Sequence, residues 1–219
     1  MTDIVLSKVY KRYAGGHEAL ADVTLNIATG EMVFITGHSG AGKSTLLKLM
    51  AAIERPTSGS VIVNGQNIGA LRARGIPFLR RNFGLVFQDH KLLFDRSVFD
   101  NVMLPLDITG FDRREGAGRA RAALDKVGLL HKEKARPITL SGGEQQRLCI
   151  ARAIVHRPSI LLADEPTGNL DADYAAGIGD LFRDFNQVGV TIVLATHDMQ
   201  LAARLQPRLI EVRSGRVVS

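Results

Sequence analysis

The stretch Gly37-His38-Ser39-Gly40-Ala41-Gly42-Lys43-Ser44 matches G-x-x-x-x-G-K-[ST] in full. It follows the apolar run Met32-Val33-Phe34-Ile35-Thr36 and precedes the helical pattern Lys43-Ser44-Thr45-Leu46-Leu47-Lys48-Leu49-Met50. Glycines at these spacings let the backbone fold tightly, so that its N–H groups point inward at phosphate oxygens. The helix N-terminus adds the positive end of its dipole. Lys43 can reach β- and γ-phosphates, and the Ser44 hydroxyl can ligate Mg²⁺. Thr45 follows in the same first turn and belongs with the candidate nucleotide contacts.

Phosphate chemistry needs a second set of groups, for the metal and the attacking water. Ile160-Leu161-Leu162-Ala163 is an apolar strand that runs into Asp164-Glu165. Adjacent acids at a strand end are common in ordinary turns. Beside a phosphate loop they read differently: Asp164 can hold Mg²⁺, directly or through water, and Glu165 can act as general base.

The elements that must position these groups alternate. Short apolar strands are expected at Ile4-Val5-Leu6, at 23–27, 32–36, 59–63, 83–87 and 160–163, and at Thr191-Ile192-Val193-Leu194-Ala195. Helices are expected at 43–50, 113–127, 145–156 and 172–187. The pattern predicts an α/β fold with a mostly parallel sheet. Its core comprises residues 1–88 and 157–219, and about 89–156 reads as a helical insertion within one domain.

Composition narrows the classes. Hydrophobic residues make up 45% of the 219, enough for a substantial core, so disorder is excluded. Cys149 is the single cysteine, which rules out an intrachain disulfide and suits a reducing compartment. It reads as a packing residue without a redox role. The opening residues carry no secretory leader pattern, and no apolar run reaches membrane-span length. A membrane role would therefore come through a partner. Net charge is +6 with a pI near 9.8, yet Arg72, Arg74, Arg80, Arg81, Arg113, Arg114, Arg119 and Arg121 are scattered. Solvated surface charge or attraction to an anionic membrane accounts for them. No nucleic-acid module is visible, and no nucleic acid is expected as a partner.

Leu140-Ser141-Gly142-Gly143-Glu144-Gln145 closely resembles the signature of the ATP-binding-cassette family. The resemblance extends over nearly the whole chain, with phosphate loop, Gln88, signature, Asp164-Glu165, Asp171 and His197 in the family's order. By itself Ser-Gly-Gly before a helix could be a simple N-cap. The resemblance implies a P-loop NTPase core with an antiparallel N-terminal β part and an inserted helical subdomain. It implies hydrolysis of ATP with Mg²⁺, and a homodimer formed on ATP binding. In that dimer Ser141, Gly142 and Gly143 face the γ-phosphate held by the other copy. Gln88 corresponds to the residue that contacts Mg²⁺ and the water, and His197 to the histidine at the γ-phosphate. Tyr13 is either a strand-end tyrosine or the aromatic that stacks on adenine. Gly168-Asn169-Leu170-Asp171 resembles the loop linking the two ATP sites.

The resemblance also sorts the family's branches. No heptad run splits the motifs, one cassette is present, and no membrane spans are fused to it. A stand-alone cassette that docks on a separate integral membrane protein, at the cytoplasmic face of the inner membrane, remains. Residues 88–102 and Gly15-Gly16-His17-Glu18-Ala19-Leu20 are most similar to the cell-division branch. That implies control of peptidoglycan hydrolases through the membrane partner, docked near residues 91–99. Cassettes for lipoprotein release and macrolide export share much of this segment and are the alternative.

Overall fold

The computed structural model describes residues 2–168, 170 and 172–218. Its N-terminal part is an antiparallel sheet ordered β2-β1-β4-β5, from β1 (Thr2–Arg12), β2 (Glu18–Ala28), β4 (Ser58–Val63) and β5 (Gln66–Asn67). In β2 the side chains of Leu20, Val23, Leu25 and Ile27 are buried while Asp22, Thr24 and Asn26 are exposed. That alternation marks a sheet with one wet face.

The second sheet is ordered β10-β9-β3-β8-β7-β6. Strands β3 (Met32–Thr36), β6 (Phe83–Val86), β7 (Ile160–Asp164), β8 (Thr191–Ala195) and β9 (Arg208–Arg213) run parallel, and β10 (Arg216–Val217) closes the edge antiparallel. The inner strands β3, β7 and β8 are buried on both faces, which explains their unbroken apolar runs, whereas β9 alternates buried Ile210 and Val212 with exposed or half-exposed neighbours. Their two faces feed different cores. Phe34, Leu161, Ala163, Ile192 and Leu194 pack with α5 (Gly142–Ile154) and α6 (Ala172–Gln187). Val33, Ile35, Ile160, Leu162, Val193 and Ala195 pack with α1 (Lys43–Met50) and the antiparallel sheet. The parallel sheet thus sits between a helical layer and a β layer, and α1 shares the latter.

Between β6 and β7 come α3 (Val98–Thr109), α4 (Arg113–Lys126) and α5, packed around Val102, Leu106, Leu124 and Leu148. Helix does not begin at Asp89, as the sequence suggests. Residues 89–97 are turns, with His90 and Lys91 at φ 59° and 48°, and α3 starts only where Ser97 caps the Asp100 N–H. The helix after the signature starts at Gly142 rather than Gln145 and stops at Ile154. Strand β6 ends at Val86, and α2 (Ile76–Arg80) and α7 (Met199–Leu205) join the expected helices. Several arginines lie over aromatic rings: Arg81 over Phe78, Arg119 over Phe111 and Arg121 over Phe99, at 4.9, 4.4 and 5.1 Å. They form local pairs rather than one basic face.

Candidate active site

The loop from β3 to α1 is built by glycine. Gly37, Gly40 and Gly42 have φ of 141°, 77° and 111°. A Cβ on Gly37 would stand 2.2 Å from the Val212 carbonyl oxygen, and one on Gly42 would stand 2.7 Å from that of Ala19. No other residue fits either position. Gly42 is the N-cap of α1 and offers no side-chain acceptor, so the first-turn N–H groups of α1 face outward with no side-chain cap. Lys43 is largely buried, and its Nζ donates to the carbonyls of Gly37 and His38 at 2.8 and 3.2 Å. The ammonium is therefore held in the concavity of the loop.

Strand β7 delivers the carboxylates. Asp164 hydrogen-bonds the Ser44 hydroxyl. Burial pushes the Asp164 carboxyl above its usual range, while the Ser44 bond and Lys43 pull it down. A hydroxyl and a carboxylate side by side, with the Gln88 amide lining the same cleft, form an all-oxygen donor set. Hard cations such as Mg²⁺ take such donors and rely on phosphates and waters for the remainder. Among the described residues, no group of three or more His, Cys, Asp and Glu offers a dedicated metal cage.

Glu165 sits just beyond the strand in the left-handed region, φ 49°. Its N–H donates to the Ala195 carbonyl at 2.8 Å, tying it to the end of β8. Such conformations cost about 1–3 kcal/mol and persist where the surroundings enforce them. His197, just past β8, places Nδ1 3.0 Å from Glu165 Oε2. The pair is close but not aligned as a hydrogen bond, and Oε2 is buried without a hydrogen-bond partner. A buried carboxylate oxygen with spare acceptor capacity suits proton abstraction from water. Asp198 fixes the next turn: it caps the Leu201 N–H and accepts from Thr167 Oγ1 at 3.1 Å.

These groups share one cleft of about 640 Å³, lined by Tyr13, His38, Ser39, Gly40, Ala41, Lys43, Ser44, Thr45, Gln88, Asp164, Glu165 and His197 among others. Tyr13 is at its rim. Its hydroxyl donates to Glu54 at 2.9 Å and lies 3.3 Å from Thr45 Oγ1. Burial above all raises its phenol pKa. Its ring is thus fixed rather than free.

Ser141, Gly142 and Gly143 do not line this cleft. Ser141 is the N-cap of α5 in a full capping box: its Oγ accepts from the Glu144 N–H, and Glu144 Oε2 accepts from the Ser141 N–H at 3.0 Å. The glycines do not precede the helix; they form its first turn. Lys132 pairs with Glu144 and holds that carboxyl below its usual range. Of the linking loop, Gly168 lines the cleft, while Asn169 and Asp171 lie outside the described residues.

One contact was invisible in the sequence. Arg152, near the C-terminal end of α5, donates to the carbonyls of His90 and Lys91 at 2.6 and 2.7 Å. Cys149 Sγ–H donates to the His90 carbonyl at 3.1 Å. Cys149 is fully buried, as a packing residue should be, and it is also a donor. The helix that begins at the signature ends by gripping the turn that follows Gln88. No motif spacing announces this, because it depends on the positive φ of His90 and Lys91.

Known proteins place this geometry. A family model described as ABC transporter matches residues 20–168. The chain is similar to the cell division ATP-binding protein FtsE of Escherichia coli (strain K12): 56% identical over 207 residues, 94% of this chain and 93% of that protein. FtsE of Bacillus subtilis (strain 168) is 41% identical over 215 residues, 98% of this chain and 94% of that one. Among solved structures, the dimeric bacterial ABC transporter cassette MJ0796 superposes with a TM-score of 0.94 at 37% identity, covering 99% of this chain and 97% of that one. A post-hydrolysis dimer of MJ0796 bound to ADP and Pi gives 0.93 at 36% identity, with the same coverage. The architecture, the phosphate loop and these likenesses agree, and the chain belongs to the ABC transporter family as one of its ATP-hydrolysing cassettes.

Proposed function

We propose that this chain closes as a pair on ATP and drives a separate membrane protein in bacterial cell division. The observation that carries the reading is the division of the site. Lys43, Ser44, Gln88, Asp164, Glu165 and His197 line one cleft, whereas Ser141, Gly142 and Gly143 lie outside it. One copy then presents everything except the helix N-terminus that a second copy supplies, and the solved dimers of MJ0796 support such pairing.

Lys43 and the loop N–H groups of residues 37–42 bind the β- and γ-phosphates. Tyr13 stacks on adenine. Gln88 and His197 hold the water and the γ-phosphate in line. Glu165 takes a proton from that water as its oxygen bonds the γ-phosphorus and the bond to the β–γ bridging oxygen breaks. The N-terminus of the partner copy's α5 stabilises the negative charge spread over the γ-phosphoryl oxygens. Ser44, Asp164 and Gln88 would hold Mg²⁺, which when bound neutralises phosphate charge.

Among the described residues no helix is long and apolar enough to cross a membrane. On this reading work is passed to a separate integral membrane protein of the FtsX type at the cytoplasmic face, and the similarity to the cell division protein FtsE supports it. On the same reading the complex works at the division site and controls peptidoglycan hydrolases across the membrane. A largely apolar groove of about 440 Å³ beside the Gln88 turn, lined by Phe83, Leu85, Phe87, Lys91, Leu104 and Ile108, suits a helix of that partner. Purification of the tagged chain from native membranes tests the assignment. Copurification of an FtsX-type protein is expected; a lipoprotein-release or macrolide-export permease in its place overturns the division reading.

A further inference from the structure

Between Glu54 and Asp89 the chain has five arginines and no aspartate, glutamate or lysine. That stretch accounts for five of the six net positive charges. The acids at its two ends are engaged with lysines outside it: Glu54 pairs with Lys11 at 3.1 Å, and Asp89 with Lys91. Arg55 donates to the carbonyls of Gly69 and Leu71, and Arg80 to those of Ala51 and Ala52. Carbonyls satisfy these donors without cancelling their charge. Arg72 and Arg74 are exposed, and among the described residues neither side chain has a hydrogen bond or an ion pair.

The backbone gathers charge and apolar surface on one side. A 3-10 turn at Ala73–Gly75 runs into α2, and Gly75 and Arg81 both have helical dihedrals. Leu79 is fully buried, and Leu71 and Ile76 pack against the same core. The opposite side carries Arg74, Phe78 and Arg81, at i, i+4 and i+7. Phe78 is 63% exposed, with the Arg81 guanidinium 4.9 Å from its ring centroid. Unpaired guanidinium groups bind phosphate, and an exposed ring among them suits the headgroup layer of a bilayer. Pro77, Arg80 and Arg81 also line the apolar groove. A membrane protein's helix in that groove turns α2 toward the same bilayer.

We propose that Arg72, Arg74, Phe78 and Arg81 form a contact for anionic phospholipid headgroups, which holds the cassette against the bilayer beside its membrane partner. The proposal rests on the groove reading for its orientation. A single exposed ring offers no platform for successive bases, so a bilayer fits this surface better than a nucleic acid does. A few charges and one ring give a reversible attachment, which adds to the hold of a partner and does not replace it.

The test is cosedimentation of the full chain with vesicles of phosphatidylcholine, with and without phosphatidylglycerol. Binding is expected only with phosphatidylglycerol. It should fall when salt rises from about 0.1 to about 1 M, which shortens the screening length from about 10 to about 3 Å. Each basic residue near an anionic surface strengthens binding about 5-fold, so Arg72→Gln with Arg74→Gln should weaken it at least about 10-fold. Arg72→Lys with Arg74→Lys keeps the charge and should keep the binding. Arg113→Gln with Arg114→Gln removes the same charge from α4 and should also keep it. Equal loss in the two glutamine pairs overturns the proposal, because net charge alone would then act. Equal binding to both kinds of vesicle, or to neither, overturns it too. So does a tighter complex with single-stranded RNA that the Arg72 and Arg74 glutamine pair abolishes. The vesicles hold no protein, so failure of the groove reading is seen separately, as undiminished recovery of the membrane partner by Ile108→Asp.

Discussion

Arg152 donates a 2.6 Å hydrogen bond to the carbonyl oxygen of His90, and so ties the far end of the signature helix to the turn after Gln88. Its second terminal nitrogen reaches the Lys91 carbonyl at 2.7 Å. His90 and Lys91 are both in the left-handed region without being glycine, a conformation the surroundings must enforce. Because α5 is one helix from Gly142 to Ile154, a push on its N-terminus from a second copy would arrive at this turn. The turn lies between the catalytic cleft, which Gln88 lines, and the apolar groove, which Lys91 lines.

Arg152→Ala leaves two carbonyls without their charged donor. The cost of such a loss is about 1–3 kcal/mol, which lowers the melting temperature by roughly 2–12 °C in a domain of this size. Amide hydrogen exchange should speed up in residues 87–93 more than in α1 or β3. A uniform increase across the chain would mean that Arg152 serves only general stability. Arg152→Lys, with one donor head instead of a fork, should fall between the two.

Lys43→Ala removes the cation held by the carbonyls of Gly37 and His38 in the loop's concavity. Nucleotide binding should weaken by at least two orders of magnitude, since charge-assisted bonds of about 1.5–3 kcal/mol each are lost. Titration with ATP checks this. Wild-type affinity in the variant would remove the phosphate assignment.

Glu165→Gln keeps the shape and removes the carboxylate proposed as the general base. The variant should bind ATP, hydrolyse it at least about 100-fold more slowly, and accumulate as a dimer under saturating Mg-ATP. Light scattering reports the dimer. A variant that stays monomeric there argues against closure of two copies on ATP.

Burial pushes the pKa of the Cys149 thiol up to about 12, from an ordinary value of 9.0. The folded state therefore keeps its proton where the unfolded chain has released it. Stability from this group is fully present below pH 9 and declines as pH rises toward 12. Urea unfolding at pH 8, 9 and 10 should show the wild type losing up to about 1.4 kcal/mol per pH unit more than Cys149→Ala above pH 9. Parallel pH dependences would show that the thiol ionises alike in both states.

Much of the fold was legible because burial on both faces leaves a plain mark. The runs at 32–36, 160–163 and 191–195 are β3, β7 and β8, next to one another in the parallel sheet. The cleft was legible because its groups lie at the ends of those strands: Gly37 after β3, Asp164 and Glu165 at β7, and His197 after β8. Other features depend on backbone conformation or distant pairing. The grip of Arg152 on His90 requires a left-handed turn that no local residue preference demands. The bond from the Tyr13 N–H to the His17 carbonyl exists only once the hairpin between β1 and β2 has closed. The start of α5 was misplaced because glycines usually argue against a helix interior, whereas the capping box of Ser141 and Glu144 carries the helix across them.

The apolar groove gives a way to separate chemistry from coupling. Ile108, on α3, is 57% exposed and lines it, as does Leu104 one turn earlier. Neither lines the cleft that holds Lys43 and Glu165. A carboxylate placed there would face a partner helix from an apolar wall, and an unpaired charge buried at an interface typically costs several kcal/mol. Ile108→Asp should therefore abolish copurification of the membrane partner, a loss of at least 10-fold in recovered protein. Basal ATP hydrolysis by the isolated chain should stay within about 2-fold of wild type, since an exposed site away from the chemistry rarely shifts stability by more than about 0.5 kcal/mol. Substitutions at exposed Phe94, which does not line the groove, should weaken recovery less. If Ile108→Asp recovers the partner as well as the wild type does, the partner docks elsewhere. If it loses basal hydrolysis in the same proportion, the groove belongs to the catalytic unit instead.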